Sequence, residues 1–535
     1  MNILILGAGV MQEPAIRIAT RKGWRVVLAD GNPSAPARGM ADRFECIDLK
    51  DRDGLLTLAR ALKDAGGLDG VFTAGTDFSS SVAWVAEHLG LPGIPFAAAM
   101  RATDKCLMRE ALAAAGVPSP RSVCWTGHGS PQDVLAGGMQ FPLVAKPVDN
   151  MGARGVRRVD NAAALEEACR SAIGLSRSSR VIIEEYMEGP EFSLDAIVSD
   201  GKTVVCGVAD RIIRFPPYFV EMGHTMPTGF PSTVVREVEA VFVAGIRALG
   251  IRNGAAKGDI KLTPSGVMVG EIAARLSGGY MSGWTFPLAS GVEVTEAALN
   301  VAVGLPPGDL SPRWNKVCAE RALISIPGTV ASVSGAQEAE RAPGVTNVFL
   351  RAGTGDRVVF PANNVQKVGN VLVVAEDRAR ASAEASAALA LLNLRLRPLE
   401  ESTESHLRAS TAHESFDSFP LALRESVRQM SAWRGTLPST VGDQPIYVLP
   451  LDGWSDCREQ DWHGLGFAQA VRLACERGGG RVLPAAPAGS EAPFAVGRTF
   501  WQAMIRGSHQ AGVYVLDSVR EAARRGNLPR YLGAT

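Results

Sequence analysis

The first ~100 residues alternate short apolar runs with stretches whose apolar positions recur every three or four residues. Residues 3–6, 25–29 and 70–73 are apolar runs of strand length, and the segments between them carry helical spacing. This alternation predicts βαβ units and a parallel sheet. The pattern then changes. Helical spacing over 104–115 stops at Gly116, a residue suited to the left-handed C′ position. Strand-like runs follow at 141–146 and 180–184, with a glycine-containing loop at 149–155 between them. Further on we expect a Pro-rich loop at 215–231, a helix at 233–249, a hairpin over 259–272 and an Ala-rich helix at 378–391. The stretch 400–438 is rich in Ser, Thr and Glu with little periodicity, and reads as a linker holding one helix. A strand at 446–449 opens the last part of the chain, and no solenoid repeat is present.

The changes of pattern divide the chain into six parts: an α/β unit at 1–100, a small unit at 101–190, a larger one at 191–310, a mixed unit at 311–398, a linker at 399–439 and a final unit at 440–535. With 46% hydrophobic and 21% charged residues the chain has ample material for cores and too little charge for disorder. Lys plus Arg balances Asp plus Glu at 55 each, so no field draws the chain to nucleic acid or an acidic membrane. The eight cysteines are scattered with no CxxC, which predicts reduced thiols in a reducing compartment, hence the cytoplasm. The first ten residues lack a basic n-region and a cleavage site and read as a buried strand. No run approaches the roughly 18 apolar residues that span a bilayer.

Two glycine motifs are weaker than they look. Gly7-Ala8-Gly9 follows a strand, and Asp30 ends the next one, but Gln12 stands where a dinucleotide fingerprint has its third glycine. A nicotinamide-dependent oxidoreductase is therefore a minor alternative to a plain tight turn. Gly201-Lys202-Thr203 ends like a P-loop, but Ala196 replaces the first glycine, and Asp200-Gly201 between apolar runs predicts a hairpin turn instead.

The sharpest chemistry lies in residues 257–275. Two strand-like runs flank Pro264-Ser265-Gly266, which suits a three-residue turn. Folding about Ser265 sets Asp259 opposite Glu271 on one face, with Lys257 and Lys261 on the face of Asp259. Two facing carboxylates repel unless a cation sits between them. The alternatives are a magnesium site that also holds phosphate oxygens, or a solvated charged face neutralised by lysines. Arg275 and the small-residue turn Ser277-Gly278-Gly279 follow at once, as phosphoryl transfer requires.

With these residues the chain resembles the ATP-grasp superfamily over residues 1 to ~400, in the branch of biotin carboxylase and the carboxylate–amine ligases, including L-amino acid ligases. The match is carried by Asp104-Lys105, by Lys146 in Val144-Ala145-Lys146-Pro147, by Gly152-Ala153-Arg154-Gly155 and by Glu184-Glu185-Tyr186-Met187-Glu188-Gly189-Pro190-Glu191. The resemblance implies an α/β fold with a Rossmann-like N-terminal domain, an ATP-grasp domain pair and an α+β C-terminal domain; beyond its reach we expect an additional α/β tail. It implies ATP bound by Lys105, Lys146, Gly152, Arg154, Gly155, Glu184, Glu185, Met187 and Glu191, and Mg2+ on Asp259 and Glu271. It places Arg275 and Lys257 at the reacting phosphate, and Glu221, His224, Ser277, Gly278 and Gly279 on the substrate side. The family commonly has Asn at the position of Ala273, which puts a second metal ion in doubt.

The implied activity joins a small-molecule carboxylate, activated as an acyl phosphate, to an amine, with amino acids as expected substrates. No nucleic acid or membrane partner is expected, and a homodimer is compatible with the family. A carboxylase, a formate-activating transferase and a non-catalytic nucleotide-binding protein are the alternatives.

Overall fold

The computed structural model describes residues 1–408, 416–419, 423–438, 441–442, 444–484 and 493–532. Parts of the expected linker and of the expected final unit lie outside these residues. The chain forms two compact units, one of residues Met1–Glu320 with Val374–Ala381, the other of Arg321–Val373 with Ser382–Thr535. Among the described residues no helix is long and apolar enough to cross a membrane.

The first unit opens with a parallel sheet of β1 (Asn2–Leu6), β2 (Arg25–Asp30), β3 (Arg43–Cys46) and β4 (Gly70–Phe72), in the order 3-2-1-4. Residues 3–6 of β1 are fully buried, because helices on both faces of a parallel sheet leave no side for water. β3 escapes the periodicity because it is a short, half-exposed edge strand. The turn after β1 is closed from within. Asp30 accepts from the backbone N–H of Ala8 at 2.7 Å, and the Gln12 side chain exchanges two hydrogen bonds with the backbone of Ala74.

A second, antiparallel sheet comprises β5 (Ser122–Trp125), β6 (Leu143–Pro147), β7 (Arg157–Val159) and β8 (Val181–Glu185), in the order 5-8-6-7. The helix Lys105–Ala114 precedes it. Asp104 caps this helix by accepting from the N–H groups of Cys106 and Leu107, and a left-handed Gly116 follows its end. Here one expectation fails. Cys106 and Cys124 form a disulfide, with Cα atoms 6.1 Å apart. The helix packs its first turn against β5, a proximity that spacing along the chain does not reveal.

The third sheet carries β9 (Glu191–Ser199), β10 (Lys202–Arg214), β11 (Val220–Met226), β12 (Gly254–Thr263) and β13 (Gly266–Ala273), ordered 13-12-9-10-11 within this unit. Asp200 and Gly201, both at positive φ, form the tight turn joining β9 to β10. The expected Pro-rich loop at 215–231 is corrected by β11. Its prolines, 216, 217, 227 and 231, flank a wholly buried strand instead of interrupting it. The helix Ser232–Leu249 packs its apolar side, Val238, Phe242, Ile246 and Leu249, on this sheet.

In the second unit the helix Arg378–Leu391, whose first residues belong to the first unit, leads into further short strands. Its longest element, the helix Arg498–Arg524, escaped the sequence reading. It is broken by non-helical Gly507 and Ser508, so its apolar rows do not stay on one face.

Candidate active site

The chemistry-bearing residues gather because period-two alternation points every second side chain of the third sheet to one face. Three rows cross that face. The first contains His224 on β11, Arg211 on β10, Glu191 on β9 and Lys261 on β12. The second contains Ser193, Asp259 and Glu271. The third contains Asp195, Lys257 and Ala273.

Asp259 pairs with Glu271, as the sequence predicts, but by another route. The turn has two residues, Pro264 and Ser265, and Thr263 pairs directly with Gly266. That register alone would set Asp259 against Gly270. A bulge between Asp259 and Ile260 adds one residue on β13 and brings Glu271 into place. Gly270 is suited to it, since a Cβ there would lie 2.9 Å from the Asp259 carbonyl oxygen.

Both carboxylates are met by cations. Asp259 pairs with Lys257, lies 3.2 Å from Arg211 and accepts from the Ser193 hydroxyl at 3.3 Å. Glu271 lies 3.6 Å from the ammonium of Lys105. Burial pushes the Glu271 carboxyl up, but the fields of Lys105, Lys257, Lys146 and Arg275 outweigh it and hold the group at about 2.

Lys105 also donates to the Asn150 carbonyl at 2.9 Å, tying the helix start to the glycine loop. In that loop Gly152, Ala153 and Gly155 have positive φ, and Arg154 turns its Nε onto the Met151 carbonyl. Lys146 lies 2.6 Å from Glu184, which Arg109 contacts from the other side at 2.9 Å while donating to the Gly270 carbonyl. Burial pushes Lys146 down, with Glu184 opposing the shift. Burial likewise raises Glu184, but Arg109 and Lys146 overcome it and keep its carboxyl below the usual range. The lysine thus has the partner that its apolar strand demands.

Glu185 ends β8 and is half-buried, and the Met187 carbonyl accepts from Lys261 at 2.8 Å. Glu191 pairs with Arg211 and lies 3.7 Å from Lys261. Glu221 and His224 are buried on β11, with His224 Nε2 3.5 Å from Glu221 and Nδ1 3.0 Å from Glu320. Gly279 closes over them at φ +60, where a Cβ would meet Glu221 at 2.8 Å. Gly278 packs backbone to backbone on Gly75 of the N-terminal part. Arg275 donates to the Leu276 carbonyl at 2.9 Å and faces Glu271 electrostatically.

Four charged residues of this site were missed in the sequence. They are Arg109, Asp195, Arg211 and Glu320. Asp195 is fully buried and accepts from both the N–H and the hydroxyl of Ser277 at 2.9 Å, so it holds the Ser277-Gly278-Gly279 turn. Burial raises its carboxyl to about 6, against the pull of the Ser277 hydrogen bonds and of Lys257 and Arg275. A signal was available: Asp195 and Glu320 interrupt apolar strands, and a buried carboxylate requires a partner.

Among the described residues no group of three His, Cys, Asp or Glu forms a metal cage. Two carboxylates beside several cations suit magnesium, which takes one or two protein carboxylates and completes its shell with phosphate oxygens and water.

Two family models match parts of the chain. The family model of the ATP-grasp domain matches residues 139–283, and that of the L-amino acid ligase C-terminal domain 2 matches residues 321–397. Carnosine synthase 1 of Gallus gallus is 29% identical over 334 residues, covering 57% of this chain but 35% of its own length. The chain thus spans little more than a third of that relative. The L-arginine-specific L-amino acid ligase of Bacillus subtilis is 22% identical over 58% of this chain and 76% of the ligase. The crystal structure of the L-amino acid ligase from Bacillus licheniformis shares the fold with a TM-score of 0.65 at 22% identity, over 74% of this chain and 98% of that one. Residues 139–283 thus form an ATP-grasp domain, and the likeness of the chain runs to L-amino acid ligases and carnosine synthase.

Proposed function

We propose that the protein is an ATP-dependent ligase that activates a carboxylate as an acyl phosphate and joins it to an amine, releasing ADP and phosphate. The observation that carries this reading is the Asp259–Glu271 pair, set across the bulged hairpin with Lys105 and Lys257 against it. Magnesium on these carboxylates would neutralise charge on the phosphates. Lys105 and Lys146 would hold phosphate oxygens as point charges, and the backbone near Glu185 and Met187 would meet the adenine edge. Glu184 sits beneath, keeping Lys146 in place. Glu191 would accept from the ribose.

The substrate carboxylate would attack the terminal phosphorus beside Arg275, which steadies the charge that develops there. The loop holding Gly152, Arg154 and Gly155 would keep water from the acyl phosphate. Glu221 would receive an ammonium group, and His224, fixed through Glu320, would take or donate the proton as the amine attacks the carbonyl. The turn Ser277-Gly278-Gly279, held by Asp195, would seat the activated group. The names of the relatives support amino acids as substrates. In this reading the parallel N-terminal sheet is the Rossmann-like domain of the family, and the cofactors are ATP and Mg2+.

The test is product analysis. Purified protein with Mg-ATP and pooled amino acids releases ADP and phosphate only when both a carboxylate and an amine are present. AMP and pyrophosphate would end the reading. Turnover that requires bicarbonate or formate would replace the ligase with a carboxylase or a formate-activating transferase.

A further inference from the structure

The centre of the charged face is a residue that the mechanism above leaves without a role. Arg211 lies between His224 and Glu191 in the first row, with its side chain 14% exposed. Its guanidinium meets three carboxylates from three other strands. One terminal nitrogen contacts Glu191 and lies 3.2 Å from Asp259, while Nε donates to Glu221 at 2.9 Å. A planar guanidinium has donors at fixed angles and serves several acceptors at once, which a lysine ammonium does as a single point. One positive charge is shared here among three negative ones, so what one carboxylate gives up the others receive.

We infer that Arg211 is a positioning residue that couples Glu221 on the substrate side to Glu191 and Asp259 on the nucleotide side, so that the charge state of either side sets the affinity of the other. The inference rests on the ligase reading, which assigns those carboxylates to an ammonium, a ribose and a metal ion. Neutralising Glu221 leaves the guanidinium's charge to Asp259 and Glu191, where it opposes the cation and the ribose hydroxyls. Coupling of this kind is reciprocal: Mg-nucleotide shifts ammonium affinity by the same factor.

A double-mutant cycle on Mg-ADP affinity, measured by calorimetric titration without turnover, tests it. The four proteins are the parent, Glu221→Gln, Arg211→Lys and the pair. Glu221→Gln weakens Mg-ADP binding by about three- to tenfold in the parent and by less than about twofold when Lys replaces Arg211. Equal factors in the two backgrounds overturn the inference. So does an unchanged affinity in Glu221→Gln alone, which decides the matter even where Arg211→Lys fails to fold. A parent protein that binds no Mg-ADP fails the nucleotide-site reading itself, and the inference with it.

Discussion

Asp259 and Glu271 face each other only because the ladder between them is one residue out of step. The two-residue turn at Pro264-Ser265 would oppose Asp259 to Gly270, and the bulge restores the pair. Strand alternation makes this matter, since a one-residue slip sends a side chain to the other face of the sheet. The bulge also opens the Gly270 carbonyl to Arg109, which in turn holds Glu184.

Gly270→Val should therefore disturb the proposed nucleotide site without touching a charged residue. Its Cβ would stand 2.9 Å from the Asp259 carbonyl oxygen, and the ladder must shift to relieve the contact. We expect Mg-ADP affinity to fall by about tenfold or more, as for loss of a residue that supports metal ligands. Calorimetric titration reads the change, and an affinity within twofold of the parent would show that the bulge is incidental.

Asp259 already contacts Lys257, Arg211 and Ser193, and Ala273 offers no ligand atom to a second ion. We expect one Mn2+ bound per chain in the presence of ADP, counted by electron paramagnetic resonance. Glu271→Gln should lower its affinity about 10- to 100-fold and abolish turnover while the melting curve stays cooperative. Two ions of similar affinity would contradict the single-ion expectation.

Much of this face was legible in the sequence because it obeys period two. Lys257, Asp259 and Lys261 alternate on one strand, and a hairpin turn fixed what opposed them. The helix at 378–391 and the capped helix after Asp104 were equally plain. What stayed hidden depends on strands meeting across long stretches of chain. Arg211 is remote in sequence from Asp259, and Glu320 is nearly a hundred residues from His224, separated by 96 positions. The strand Val220–Met226 was masked by its flanking prolines, and the disulfide by a separation of 18 residues with no motif.

Asp195 is predicted to give the reaction an acid limb. Its carboxyl sits at about 6, raised by burial, so it is protonated in mildly acidic solution and ionised above. Asp195→Asn keeps an oxygen to accept from Ser277 but cannot ionise. The limb of kcat near pH ~6 should vanish in this variant. A limb that persists unchanged would assign the titration to another group.

The second unit should lose stability in acid through two histidines, His509, which is buried, and His406, which is half-buried. Burial, aided by Arg506, lowers His406 to about 4, and burial lowers His509 as well against the pull of Asp461. Below the unfolded value of about 6.5 the unfolded chain binds protons that the folded chain refuses, so stability falls as the pH drops through this window. The slope reaches about 1.4 kcal/mol per pH unit for each fully buried group. Replacing His509 with Gln should flatten the dependence of the denaturation midpoint on pH between about 6.5 and 4.5. An unchanged slope would contradict the assignment.

The Cys106–Cys124 bond closes a loop with a sequence separation of 18. A loop of that length stabilises by about 3 kcal/mol through the unfolded state. Cys124→Ser should lower the unfolding free energy by roughly that amount under oxidising conditions, and by nothing once reductant has been added to the parent. Peptide mapping without reduction should recover the two cysteines as one linked species. Free thiols at both positions would remove the bond.

The acyl phosphate is the claim on which the mechanism turns, and an isotope reports on it directly. A carboxylate substrate labelled with heavy oxygen, turned over with Mg-ATP and an amine, should deliver one labelled atom to each phosphate released, because the attacking carboxylate oxygen leaves with the phosphorus. Phosphate free of label, or label recovered in AMP, would contradict attack on the terminal phosphate.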